Sequence, residues 1–274
     1  MKQLFFCFGL AKAGTTFLQR TLDSHPEVSC PSEHNFKVLG DALINLFKSY
    51  NRHLIVVDRR TGGQGATFVN SKTVKKVFRY SIEAIIEESA KGKPIAGVND
   101  NSIIFNLQTY YSIFNRPKMI AIFRNPIDRA ISTWHHNMRL AEEENDDGHK
   151  ELMLKHGGFD DWMRLCAKGF NRYVVNCKKF CDENSNMLII RYEDLIRGQE
   201  TLNQIFAFLG AGTDREVIEK VDAENTFERM RKNSPVPGFF RKASTSMGEG
   251  EISDELREEL LKIAAPGLKA LGYL

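Results

Sequence analysis

Phe8-Gly9-Leu10-Ala11-Lys12-Ala13-Gly14-Thr15-Thr16-Phe17-Leu18 is the stretch that decides the fold. The apolar run Leu4 to Phe8 reads as a buried strand. Beyond the glycines, the pattern resumes with Phe17, Leu18, Thr21 and Leu22 on one helical face. A strand, a Gly-containing turn and a helix N-terminus make an anion cradle, because unpaired backbone N–H groups and the helix dipole point the same way. The spacing Gly9 to Gly14, then Thr15-Thr16, approaches a nucleoside-triphosphate loop. However, Thr15 stands where that loop needs its lysine, and Lys12 lies three residues earlier. Two plainer readings compete. One is an ordinary strand-to-helix turn with Lys12 solvated. The other is a secretory signal, with Ala11-Lys12-Ala13 mimicking a cleavage site. Cleavage there would discard the first strand and the cradle, so the stretch is read as part of the fold.

Outward from this loop, the 274 residues are 42% hydrophobic and 27% charged, a globular composition expected to form one domain over 1–274. A net charge of +3 points to no nucleic-acid partner, and no apolar run approaches the roughly 20 residues that span a bilayer. Five cysteines without a C-x-x-C pair read as reduced thiols, and cytoplasm is the expected location. Strands are expected near 3–9, 94–98, 118–123 and 187–191, alternating with helices. This is an α/β pattern: a mainly parallel central sheet covered by helices on both faces, in three layers. Arg59 to Lys72 reads as a mobile Gly-rich loop, and the acidic cluster Glu142 to Asp147 as a solvated helix end between two helices.

A second chemical signal is Ile120-Ala121-Ile122-Phe123-Arg124-Asn125-Pro126, continuing to Ser132. Arg124 falls at the C-terminal edge of a strand, where α/β sheets place ligands. Asn125 suits an N-cap and Pro126 a first helical residue, with Ser132 on the following helix. Arg124 and Ser132 together can hold one phosphate, as a charged fork and a neutral donor. Arg129 is expected to pair with Asp128 and other acids.

Lys-Ala-Gly-Thr-Thr at 12–16 resembles the 5′-phosphosulfate loop of sulfotransferases that use 3′-phosphoadenosine 5′-phosphosulfate (PAPS). Arg124 with Ser132 resembles the same family's 3′-phosphate motif. Met187 to Leu195, with Tyr192-Glu193-Asp194, is similar to another family strand end. The resemblance runs from residue 4 to residue 274 and is weakest over 37–93 and 140–165. It implies a P-loop-like fold and PAPS as donor, with adenosine 3′,5′-bisphosphate (PAP) as product and no required metal. It also implies donor contacts from Lys12, Ala13, Gly14, Thr15, Thr16 and Phe17, with Phe17 where an adenine-contacting Trp stands. Tyr173 and Phe227 are implied as further adenine contacts, and Arg241 and Lys242 as a segment closing over the 3′-phosphate. Ala243 replaces the usual Gly after them, and the Gly-Asp-Trp that normally follows is absent.

Lys12 is the expected electrostatic catalyst, stabilising charge that grows on the leaving phosphate oxygen. For the base, Ser32-Glu33-His34-Asn35-Phe36 resembles the segment of carbohydrate sulfotransferases whose Glu takes the acceptor proton. The phenol and steroid enzymes use a His upstream of the 3′-phosphate strand. Here that region, Ala96 to Ser102, holds none, and Asp100 is the second candidate. His135 and His136 follow Ser132 and are candidates to face the acceptor. The expected acceptor is a carbohydrate hydroxyl, with a phenol, lipid or other small alcohol as alternatives. A P-loop kinase and a non-catalytic adenine-nucleotide binding module are the competing classes.

Overall fold

The computed structural model describes residues 3–64, 66–143, 157–234 and 245–274, together with 148, 151 and 155. The chain begins with β1 (Gln3–Gly9), α1 (Thr15–Ser24) and two short strands, β2 (Val28–Ser29) and β3 (Glu33–His34). Two long helices follow, α2 (Phe36–Arg60) and α3 (Ser71–Ser89), then β4 (Ile95–Asp100), a 3-10 turn (Asn101–Phe105) and α4 (Leu107–Ile113). Next come β5 (Lys118–Phe123), α5 (Pro126–Glu143), α6 (Phe159–Glu183) and β6 (Met187–Arg191). The chain closes with α7 (Tyr192–Leu195), α8 (Gln199–Leu209), α9 (Arg215–Glu224), α10 (Phe227–Lys232) and α11 (Asp254–Ala270).

The strands form one parallel sheet in the order β2-β4-β1-β5-β6, with β3 also paired to β4. All four expected strands are present, β4 reaching Asp100 rather than 98. The Gly-rich stretch is shorter than expected, because α2 runs on to Arg60 and α3 starts at Ser71. Most of the acidic cluster lies outside the described residues. Its first two members, Glu142 and Glu143, end α5.

Side chains of β1 alternate between two cores, as a strand buried on both faces requires. Phe6 and Phe8 join Tyr110, Phe123 and Phe170 on one face, while Phe5 and Cys7 join Leu18, Ile120 and Phe206 on the other. β1 lies between β4 and β5, which places its C-terminal end at the crevice where the strand order switches direction. That end is Gly9. The five cysteines are all free thiols. Among the described residues, no helix is long and apolar enough to cross a membrane.

Candidate active site

The turn after β1 closes through the Ala13 amide, which donates to the Leu10 carbonyl at 3.0 Å. Lys12 takes a left-handed conformation with φ 65°, and Gly14 does so with φ 97°. Gly14 is required on two counts. Its backbone sits where L residues are strained, and a Cβ there would lie 2.3 Å from the Tyr192 ring. No side chain caps α1, whose N-terminal residue is Thr15, so its first-turn N–H groups are presented to an anion. This is the property a phosphosulfate needs. The Lys12 ammonium is pulled down to about 8, first by burial, then by the like charges of Arg139 and Arg124, with Glu33 opposing. Concentrated positive charge has a cost here, and an arriving anion relieves it.

Arg124 follows the last residue of β5, as expected. Its guanidinium is buried, its Nη1 donates to the Lys12 carbonyl at 3.4 Å, and it stacks 4.8 Å from the centre of the Tyr192 ring. Asn125 is the anticipated cap, its Oδ1 accepting from the Ile127 amide at 2.9 Å. Ser132 is half-buried on α5. At helical spacing it shares a stripe with Arg129, His136 and Arg139. Arg129 departs from expectation. Asp128 accepts from the Met247 and Gly248 amides, both at 3.2 Å, while Arg129 Nη1 reaches the Ala11 carbonyl at 3.5 Å. Arg129 therefore belongs to the loop.

Glu33 sits on β3 opposite Asn99 of β4 and keeps an exposed edge. Asn101 Nδ2 donates to Glu33 Oε1 at 2.8 Å, and the Gly9 amide donates to Asn101 Oδ1 at 3.2 Å. Burial, and then the Asp100 charge, push the Glu33 carboxyl above its ordinary value, with the Asn99 amide and then the Lys12 charge acting against them. Asp100 is different. It is fully buried, and its two oxygens accept from the Phe36 and Ser102 amides, both at 2.8 Å. Its carboxyl is also raised, chiefly by burial. It pins the starts of α2 and the 3-10 turn.

Other candidates fall elsewhere. Tyr173 packs edge-on to Phe105, 5.3 Å between ring centres, against the core on the face opposite Phe17. The ring beside the loop is Tyr192, edge-to-face with Phe17 at 6.1 Å. His135 turns its Nε2 to Glu251 Oε2 at 3.5 Å, and His136 stays on the Ser132 stripe. Phe227 begins α10, which Thr226 caps through the Arg229 amide. Asn225 ties that segment to Ser24 at the end of α1. Arg241 and Lys242 lie outside the described residues.

The sequence marks Tyr192-Glu193-Asp194 as a family-like strand end but not the partners of Glu193, whose Oε1 accepts from the Asn125 amide at 2.9 Å and whose Oε2 accepts from the Tyr273 hydroxyl at 2.5 Å. The signal for Tyr192 and Glu193 was their place at the C-terminal end of a strand.

The sulfotransferase domain family matches residues 3–263. A chimpanzee (Pan troglodytes) relative named Sulfotransferase 6B1 is 29% identical over 216 residues, covering 70% of this chain and 68% of the relative. Among solved structures, mouse sulfotransferase SULT7A1 in complex with PAP superposes with a TM-score of 0.58 at 15% identity, over 98% of this chain and 84% of that one. A sulfotransferase from Alicyclobacillus acidocaldarius gives 0.55 at 22% identity, over 100% of this chain and 95% of that one.

Proposed function

This chain belongs to the sulfotransferase family and is a PAPS-dependent enzyme; from that premise we propose that it sulfates an acceptor hydroxyl using Glu33 as base and Lys12 as electrostatic catalyst. Bound PAPS supplies the sulfuryl group. The chain's own residues do the rest. Lys12 and the open amides at the start of α1 offset negative charge that grows on the leaving phosphate oxygen. Arg124 and Ser132 hold the 3′-phosphate, and Phe17, with Tyr173 and Phe227, contacts the purine. Glu33 takes the acceptor proton.

The observation that carries the reading is the bridge from the loop to Glu33, in which the Gly9 amide donates to Asn101 Oδ1 at 3.2 Å and Asn101 Nδ2 donates to Glu33 Oε1 at 2.8 Å. That bridge holds the carboxylate beside the end of β1, where the loop that carries Lys12 begins, and in-line transfer from a donor to a hydroxyl requires a base held near the donor. Asp100 is the weaker base, since backbone amides already occupy both its oxygens. A carbohydrate is the favoured acceptor, because the Glu33 segment resembles that of carbohydrate sulfotransferases. A small apolar alcohol is the second reading. It is favoured by a cavity of about 240 Å³ among Phe36, Ile44, Phe78, Tyr110 and Ile113, just beyond Glu33 in the chain.

A sulfate-labelled donor offered to a panel of simple sugars and phenols identifies the acceptor. With the best one, Glu33→Gln should lower kcat by roughly 10²–10⁴ while PAP affinity stays within about threefold. If Glu33→Gln keeps most activity and Asp100→Asn abolishes it, the base is misassigned.

A further inference from the structure

Asn101 opens the 3-10 turn directly after Asp100, and its side chain touches two parts of the site. Its Oδ1 accepts from the Gly9 amide at 3.2 Å, and its Nδ2 donates to Glu33 Oε1 at 2.8 Å. The orientation of this amide is forced. A backbone N–H can only donate and an ionised carboxylate can only accept, so the oxygen faces Gly9 and the nitrogen faces Glu33. One side chain thus ties the end of β1, where the loop begins, to the carboxylate on β3.

We propose that Asn101 is the positioning residue of the base: it fixes Glu33 relative to the loop, occupies Oε1 with a neutral donor and leaves Oε2 for the acceptor proton. This rests on the reading of Glu33 as base. The fold explains the need. β3 has two residues and pairs only with β4, so the backbone leaves a long side chain with its rotamer freedom intact. The Asn101 amide removes that freedom. Its neutrality matters equally, because a cation in its place would stabilise the carboxylate and lower its basicity. The tether to Gly9 also makes base and loop one unit, which fixes Glu33 relative to the transferring group.

The test is a carbon-13 titration of glutamate carboxyls in the full chain saturated with PAP, the Glu33 signal being assigned by its loss in Glu33→Gln. Asn101→Ala removes both hydrogen bonds. Asn101→Asp keeps an acceptor for Gly9 but replaces the donor with a second carboxylate. The Glu33 midpoint should rise by about half to one pH unit in Asn101→Ala, and further in Asn101→Asp through like-charge repulsion. Turnover with the best acceptor of the panel should fall by about tenfold or more in both. PAP affinity of Asn101→Asp should remain within about threefold, because the Gly9 contact is kept. A purely structural Asn101 predicts the reverse order, with Asn101→Asp tolerated. An unmoved midpoint in both variants overturns the proposal and leaves the base assignment standing. A moved midpoint with Glu33→Gln fully active overturns both.

Discussion

Lys12 shows how one residue gathers the chemistry of the site. Its left-handed backbone turns the chain into the cradle, and its carbonyl accepts from Arg124. With the ammonium lowered to about 8 by burial and by Arg139 and Arg124, the free enzyme holds it partly neutral in mild alkali. A bound 5′-phosphate favours the charged form, so binding above that pH must take up a proton. PAP affinity should therefore be flat below about 8 and weaken above it, approaching a tenfold loss per pH unit. Calorimetric titration across that range checks this, with Lys12→Arg as the control that keeps charge and removes the step. The same bend in Lys12→Arg would assign it to another group. Lys12 and Glu33 are legible in the sequence because their meaning lies in local spacing. Tyr192 is legible only as part of a strand end and Asn101 not at all, because each acquires its contacts from residues far along the chain: Gly14 for the ring, Glu33 and Gly9 for the amide.

At the scale of elements, α1 depends on what its N-terminal glycine allows. An alanine at Gly14 would hold a left-handed conformation and press its Cβ into the Tyr192 ring. Gly14→Ala should cost about 2–4 kcal/mol, the sum of backbone strain and overpacking. In a Tyr192→Ala background the ring is gone and only the backbone part remains. Urea denaturation of the four-member cycle should show the costs failing to add by about 1 kcal/mol or more. Simple additivity would mean the ring is not the obstacle. The long strands β1, β5 and β6 stand where their apolar runs predict, and α5 starts at the expected Asn125 cap. β2 and β3 are two residues each, too short to carry periodicity. They exist because β4 offers a partner edge, a tertiary fact. Yet β3 carries Glu33, so the least legible strand holds the candidate base.

For the whole molecule, the sheet order brings three distant stretches to one crevice: the loop at 9–17 from β1, Arg124 to Ser132 from β5 and its helix, and Tyr192-Glu193 from β6. Glu193 links two of them, accepting from the Asn125 amide and from the Tyr273 hydroxyl near the chain's end. A ligand that spans the crevice should feel all three, whereas one lacking a 3′-phosphate should feel less of the β5 segment. PAP and adenosine 5′-phosphate differ by that group. Arg124→Gln removes a charged fork but also the contact to the Lys12 carbonyl, so some loss is expected for both nucleotides. The discriminating quantity is the ratio of the two affinities. Loss of a charge-assisted hydrogen bond to the 3′-phosphate should cost PAP about 1.5–3 kcal/mol beyond the loss for adenosine 5′-phosphate, and Ser132→Ala should cost less. Thermal shifts give the same answer independently. Ligand at about a hundredfold its dissociation constant stabilises the wild type by about 2.7 kcal/mol, and Arg124→Gln should forfeit most of that for PAP at the same concentration. Equal weakening of both nucleotides would mean that Arg124 holds the loop and not the 3′-phosphate. The β5 segment would then be scaffolding for the cradle rather than half of the donor site.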